Sequence, residues 1–195
     1  MIKFVIMDRS HQDRDKAETL IRNVYQREYG AQVPEIADTI MALIGMDGAV
    51  LSAAGVRTNG DFFSEVYLDA NIEEVISKYW SAPVKRSDIA EVTTMASIHP
   101  KASLRLMAEI VRHLRAMGAS WAFFTITERL RALLKRMGVS TLELALADPA
   151  KLTDGAQNWG SYYTHNPHVV AIHDTMSGSF SDPTTLMQAR QQEIA

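Results

Sequence analysis

The chain has 195 residues, 47% apolar and 22% charged, a length and balance that suit one folded domain with a conventional core and exclude a disordered chain or a repeat array. It contains no cysteine, which removes disulfides, thiolate metal ligands and a cysteine nucleophile. The net charge of −3 argues against general nucleic-acid binding, but it is unevenly spread: residues 101–136 carry eight basic and two acidic side chains, giving +6 there and −9 elsewhere.

In chain order, residues 3–7 read as a short strand. The apolar run that contains them ends at Asp8-Arg9-Ser10, too short for the core of an export signal, so no export is expected. Residues 13–29 read as a helix, because Ala17, Leu20, Ile21 and Val24 recur at i, i+3, i+4 and i+7, and Ser10 with Asp13 suits its start. Strands at 39–45 and 49–56 flank Asp47-Gly48, a pair suited to the positive backbone angles of a tight hairpin. Asn59-Gly60 marks another turn, followed by an extended segment at 62–68 and a short helix outlined by Ile72, Val75, Ile76 and Tyr79.

Residues 89–97 read as a strand, His99-Pro100 as a break and 101–117 as a helix closed by Gly118. A nearly continuous apolar strand at 121–127 leads into a helix with Leu130, Leu133, Leu134 and Met137 inward and Gly138 as its stop. Two further strands, 141–147 with alternating Leu142, Leu144 and Leu146, and 168–173, enclose the loop 148–167. From Thr175 onward the residues are small and polar. The expected division is therefore one domain over 1–174 and a polar tail over 175–195, either disordered or paired with a second subunit. No stretch approaches the roughly 20 apolar residues that cross a bilayer, so no membrane span is expected.

Four segments carry a resemblance. Glu65-Val66-Tyr67-Leu68-Asp69, Arg86 with Ile89-Ala90-Glu91-Val92, the strand at 121–127 and Trp159-Gly160-Ser161-Tyr162-Tyr163 resemble recurrent motifs of the thermostable hemolysin family, over roughly residues 25–171. That family is distantly similar to the acyl-homoserine lactone synthases, GNAT-like enzymes that move a fatty acyl chain from an acyl carrier protein to an amine. The resemblance implies an α/β GNAT-like fold: a mixed central sheet, splayed between its fourth and fifth strands and flanked by helices. The order of elements agrees with it. The family name implies lysis of red cells, whereas a cysteine-free α/β chain with no export signal and no lytic amphipathic segment reads as a cytoplasmic enzyme.

Glu91 lies on an otherwise apolar or hydroxyl-bearing strand, where strict alternation puts it on the face of Ile89, Thr93 and Met95. Burial there would poise it as a general base for an amine, and a salt bridge to Arg57 or Arg86 is the equally weighted structural alternative. The segment 98–104 precedes a helix where GNAT enzymes bind a pyrophosphate or phosphopantetheine arm on free backbone amides. Thr93, Met95 and Ser97 of the strand, with Lys101, Ala102, Ser103 and Arg105, are therefore the expected donor-binding residues. His99-Pro100-Lys101-Ala102-Ser103 lacks the glycine-rich signature of acetyl-coenzyme A enzymes, which makes an acyl carrier protein a reasonable donor beside acyl-CoA.

Lys101, Arg105, Arg112 and Arg115, with Arg129, Arg131, Lys135 and Arg136 of the next helix, would steer such an acidic carrier, although a solvated helix face is the commoner use of a basic stripe. Arg57, Glu65, Tyr67, Arg86 and Trp159 are the expected acceptor-binding residues, and Tyr162 or Tyr163 the proton donor to a leaving thiolate. Core packing is the commoner use of such tyrosines. The intervals among His165, His168 and His173 match no familiar metal-ligand pattern, so neither a metal nor a tightly bound cofactor is expected; an acyl-phosphopantetheine thioester would be the donor substrate. The function expected is N-acyl transfer to a small amine by direct attack, with Glu91 as base. A membrane-active hemolysin and a non-catalytic binding module, including a structural homodimer using Phe62-Phe63 and the tail, are the alternatives.

Overall fold

The computed structural model describes residues 2–58, 60–136, 138–152 and 156–176. The tail beyond 176, Asn59 of the expected turn and Met137 of the expected helix lie outside them. Seven strands, β1 (Lys3–Met7), β2 (Thr39–Ile44), β3 (Val50–Arg57), β4 (Ile89–Ser97), β5 (Trp121–Ile126), β6 (Leu142–Leu146) and β7 (His168–His173), form one sheet in the order β1-β2-β3-β4-β5-β7-β6. Four α-helices accompany it: α1 (Arg14–Tyr29), α2 (Ile72–Ser77), α3 (Pro100–Ala116) and α4 (Glu128–Arg136). Every neighbouring pair of strands is antiparallel except β4 and β5, which α3 joins in parallel.

β2 is apolar from Ile40 to Ile44 because it is covered on both faces. Ile40, Ala42 and Ile44 pack with Ala17, Ile21 and Tyr25 of α1, while Met41 and Leu43 pack with Leu106, Ile110 and Leu114 of α3. Across the sheet, Ile72 and Ile76 of α2 cover Trp121, Phe123 and Ala171, and Leu134 of α4 packs on Ile126 and Val170.

The parallel pair is short. Ile89, Ala90 and Glu91 are in register with Trp121, Ala122 and Phe123, after which the strands part. This is the splay expected between the fourth and fifth strands. A register shift between Ala53 and Gly55 on the other side of β4, with Thr94 at φ 45°, places a bulge at the mouth of the splay.

Local differences from the sequence reading have physical causes. The Ser10 hydroxyl bonds Asp8, and Asp13 occupies the cap position of α1 without a side-chain cap bond. Residues 62–68 are not extended: Phe63–Tyr67 is a 3-10 turn whose first free amides, Phe63 and Ser64, are satisfied by Glu91. The bulge breaks the alternation assumed for β4, so Met95 joins Val92 on the α3 face and is not on the face of Glu91. A second bulge, between Glu143 and Ala145, accompanies the exposure of Leu146 at 50% while Leu142 and Leu144 remain packed.

Candidate active site

The parting of β4 and β5 exposes backbone and side chains that a continuous sheet would cover, and two cavities open there. The first has about 1070 Å³ of empty space up to its open mouth and lies between the strands, α3 and α4, with Met95, Ile110, Leu114, Phe124 and Leu130 making it largely apolar. The second, about 780 Å³, lies toward α1 and is lined by Glu35, Arg57, Phe63, Tyr67, Trp159 and Tyr163. Tyr25, Val92, Thr93, Thr94, Thr125 and Tyr162 line both, so the cavities meet at the splay.

Glu91 is fully buried beneath that junction. Its two carboxylate oxygens accept from the Phe63 amide at 2.7 Å and the Ser64 amide at 2.7 Å, and the Arg57 guanidinium lies 4.0 Å away. Burial pushes its pKa up; the Ser64 hydroxyl and amide, the Phe63 amide and the Arg57 charge pull against that rise without cancelling it. The carboxylate lines neither cavity, but Ser64 lines the second, and Thr125, on the shared wall, donates to the Ser64 hydroxyl at 3.0 Å.

The aromatic loop is placed by its docking on α1. Ser161 donates its amide to the Tyr29 carbonyl at 2.8 Å, Gln32 donates to the Asn158 carbonyl at 2.6 Å, and Gly160, at φ 52°, passes so close that a Cβ would lie 2.1 Å from the Tyr29 oxygen. Trp159 and Tyr162 thereby stack with Tyr25 and line the second cavity. Tyr162 reaches the shared wall, its hydroxyl held only at 3.4 Å by the Thr125 carbonyl. Tyr163 shares a 2.6 Å hydrogen bond with Tyr67 in the second cavity. Burial raises the pKa of Tyr162 well above its ordinary value, and that of Tyr163 as well, so both phenols hold their protons.

The structure brings Thr93, Met95 and Tyr162 together at the first cavity, and Arg57, Tyr67, Thr93, Trp159, Tyr162 and Tyr163 at the second. Glu65 and Arg86 stand apart from both. Arg86 binds Glu65 at 2.6 Å and Glu73 at 2.7 Å, lies over the Phe62 ring at 4.7 Å, and therefore braces the turn instead of pairing with Glu91. Glu65 also accepts from the Ile72 amide at 2.8 Å at the start of α2. Asp69, at the end of the same motif, pairs with Lys151 at the surface. Phe62 is packed edge-on against Phe123, which removes it from any exposed interface.

At the start of α3, Pro100 has no amide hydrogen, while the Ala102 amide bonds the His99 carbonyl and Nδ1, each at 3.1 Å, and the Ser103 amide bonds the His99 carbonyl at 3.4 Å. His99 thus uses amides expected to face a phosphate. The Ser97 hydroxyl is turned onto the His99 carbonyl at 2.7 Å. Lys101 and Arg105 are exposed, as are Arg112, Arg129, Lys135 and Arg136, whereas Arg131 pairs with Glu143 and Arg115 reaches the Asp174 carbonyl. The three histidines are separated: His165 stacks on Tyr29, His168 faces Glu143 and His173 packs between Trp80 and Trp121.

Sequence reasoning does not single out Tyr25, Glu35, Ser64, Thr94 or Thr125. Ser64 and Thr125 carry no signal in the sequence, because only the fold brings them together.

Solved structures share this fold. The acyl-homoserine lactone synthase LasI superposes with a TM-score of 0.61 at 11% identity, over 92% of this chain and 94% of its own. BjaI, a CoA-dependent acyl-homoserine lactone synthase solved with SAM and isopentyl-CoA, gives 0.58 at 10% identity, over 94% of this chain and 91% of its own. FeeM, an N-acyl amino acid synthase from uncultured soil microbes, gives 0.54 at 15% identity, over 89% and 93%. At these identities the likeness is one of fold, and the fold is GNAT-like. No curated protein matches the chain. The family model described as thermostable hemolysin matches residues 7–177, which includes every element of the sheet except the first four residues of β1, and the chain belongs to that family.

Proposed function

We propose that the chain is an N-acyltransferase that moves an acyl group from a phosphopantetheine thioester to a small amine. The observation that carries this reading is the meeting of two cavities at the splay: an apolar one walled by α3 and α4, suited to an acyl thioester, and an aromatic one that carries Glu35 and Arg57, suited to an acceptor. The amine nitrogen attacks the thioester carbonyl across the shared wall, with backbone donors of β4 facing the oxygen as it gains charge. The nitrogen–carbon bond forms and the carbon–sulfur bond breaks. The amine proton passes through the Ser64 hydroxyl to Glu91, since Ser64 lines the second cavity and its hydroxyl and amide bond the carboxylate. Tyr162, weakly held at the shared wall, passes its proton to the departing sulfur, and the proton collected by Glu91 is returned through solvent to Tyr162, so that both groups end the cycle as they began it.

Arg57, Tyr67, Trp159 and Tyr163 form the acceptor side, with Thr93 and Met95 on the donor side. The exposed cations of α3 and α4 favour an acidic acyl carrier protein over CoA. Such a donor pool lies in the cytoplasm, in keeping with the location expected from sequence. Among the described residues no helix is long and apolar enough to cross a membrane.

The absence of cysteine makes the test direct, since a thiol reagent meets no protein background. Acyl carrier proteins and acyl-CoAs of graded chain length are supplied with a pool of amines, and released thiol is followed. Amine-dependent release with a product of the corresponding amide mass is expected. No release from folded protein across that panel sinks the reading. Dye release from lipid vesicles by the same preparation would then favour the lytic activity implied by the family name.

A further inference from the structure

Arg57 ends β3, in register with Glu91 of β4, and its side chain, 19% exposed, lines the second cavity. No carboxylate holds it closely. The guanidinium lies 3.6 Å from the Glu35 carboxylate, 3.7 Å from that of Asp61 and 4.0 Å from that of Glu91. Its one hydrogen bond among the described residues is a long one, from Nη1 to the Asp61 carbonyl at 3.4 Å. A guanidinium has five N–H donors in a planar fork, so most of the bonding capacity of Arg57 is unused. Glu35 is 67% exposed and Asp61 fully exposed, so water screens both and neither pair holds Arg57 firmly. Among the described residues, Arg57 and Glu35 are the only charged ones that line this cavity, and much of the remaining wall is aromatic, with Phe63, Trp159 and Tyr163.

We infer that the acceptor is an amine that carries a carboxylate, an amino acid in chemical class, and that Arg57 binds that carboxylate. The inference rests on the acyltransferase reading and names the substrate class of its acceptor side. Two carboxylate oxygens match the guanidinium fork and exchange long contacts for short, charge-assisted hydrogen bonds. Glu91, the register partner of Arg57, precedes Thr93 of the shared wall by two residues, about 7 Å along the strand. An amino acid held at Arg57 therefore has its amine within reach of that wall. An amine without a carboxylate leaves the fork facing apolar atoms, and a site built to bond a polar group rejects a substrate that lacks it. The product is an N-acyl amino acid: the amide bond forms at the amine, and the carboxylate leaves unchanged.

Glycine, leucine and phenylalanine, each beside its carboxamide and its decarboxylated amine, are supplied at equal free-base concentration with thioester donors of graded chain length; a diamine completes the panel. The wild type is expected to favour each acid over its carboxamide and amine by roughly ten- to a hundredfold in kcat/KM, the range for hydrogen bonds to a charged group, chiefly through KM. Arg57→Gln should level that preference, and Arg57→Lys should keep part of it, since lysine retains the charge without the fork. The carboxamide, assayed on the same preparation, controls for a general loss through Glu91 or folding, because such a loss leaves the ratio of acid to amide unchanged. Carboxamides or plain amines used as well as the acids, a preference for the diamine, or an acid preference that survives Arg57→Gln overturns the inference and leaves the acyltransferase reading standing. A wild type that releases no thiol with any amine removes both.

Discussion

At the scale of single residues, Glu91 is pulled both ways. Burial favours its neutral form, while two backbone amides, the Ser64 hydroxyl and Arg57 favour the carboxylate, and the balance leaves its pKa above the ordinary 4.5. Stability and activity then depend on pH with opposite signs. The folded state holds the proton more tightly than the unfolded one, so this group's contribution to stability is present below pH 4.5 and is lost as pH rises through the folded-state pKa. The base works only as the carboxylate, so kcat/KM rises through that same pKa. A pH–rate profile should show an acid limb above the usual carboxylate range that Glu91→Gln removes along with most of the turnover. An unchanged limb in that variant would take the base assignment away from Glu91. Sequence reasoning can find Glu91, because one carboxylate on an apolar strand stands out. It cannot find the amides of Phe63 and Ser64, which are 28 and 27 residues away and reach the carboxylate only through the fold.

Among the elements, the strands and long helices are legible because each is fixed by its own apolar period: β2 is covered on both faces, and α3 turns Leu106, Ile110 and Leu114 inward. The turn at Phe63–Tyr67 and the bulge in β4 are not, since tertiary contacts set both. The segment between α1 and β2 belongs to the second group, and Arg14 fixes it. From the first turn of α1 this buried side chain donates to the Ala37 carbonyl at 2.8 Å and to the Asp38 carbonyl, and it binds Glu18 at 2.8 Å. It thereby holds the chain that carries Pro34 and Glu35 to the rim of the second cavity. Arg14→Met should leave two carbonyls without this donor, with Glu18 still held by Arg22, and cost about 3 kcal/mol, the upper range for hydrogen bonds to a charged group. A denaturant titration would read that loss. In kinetics the variant should raise KM for the amine more than for the thioester, and equal effects on both would show that the segment serves stability alone.

Across the whole molecule, the +6 of residues 101–136 is set against −9 elsewhere, so the chain is strongly polarised despite its small net charge. Lys101, Arg105, Arg112, Arg129, Lys135 and Arg136 are the exposed part of that field, and α3 and α4 also wall the first cavity. A field of this kind speeds encounter with an acidic partner and is screened over a Debye length of about 10 Å at 0.1 M salt. If the donor is a carrier protein, kcat/KM should fall steeply with added salt while kcat at saturation holds, because steering acts on association. Reversing Arg129, Lys135 and Arg136 to Glu should lower kcat/KM for the carrier-bound donor by about tenfold or more, on the scale of electrostatic rate enhancement. The same acyl group on CoA should lose much less, since a small anion samples less of the field than a protein face does. Equal losses for both donors would instead place these cations at a site for the CoA phosphates, and no loss for either would make them a solvated face.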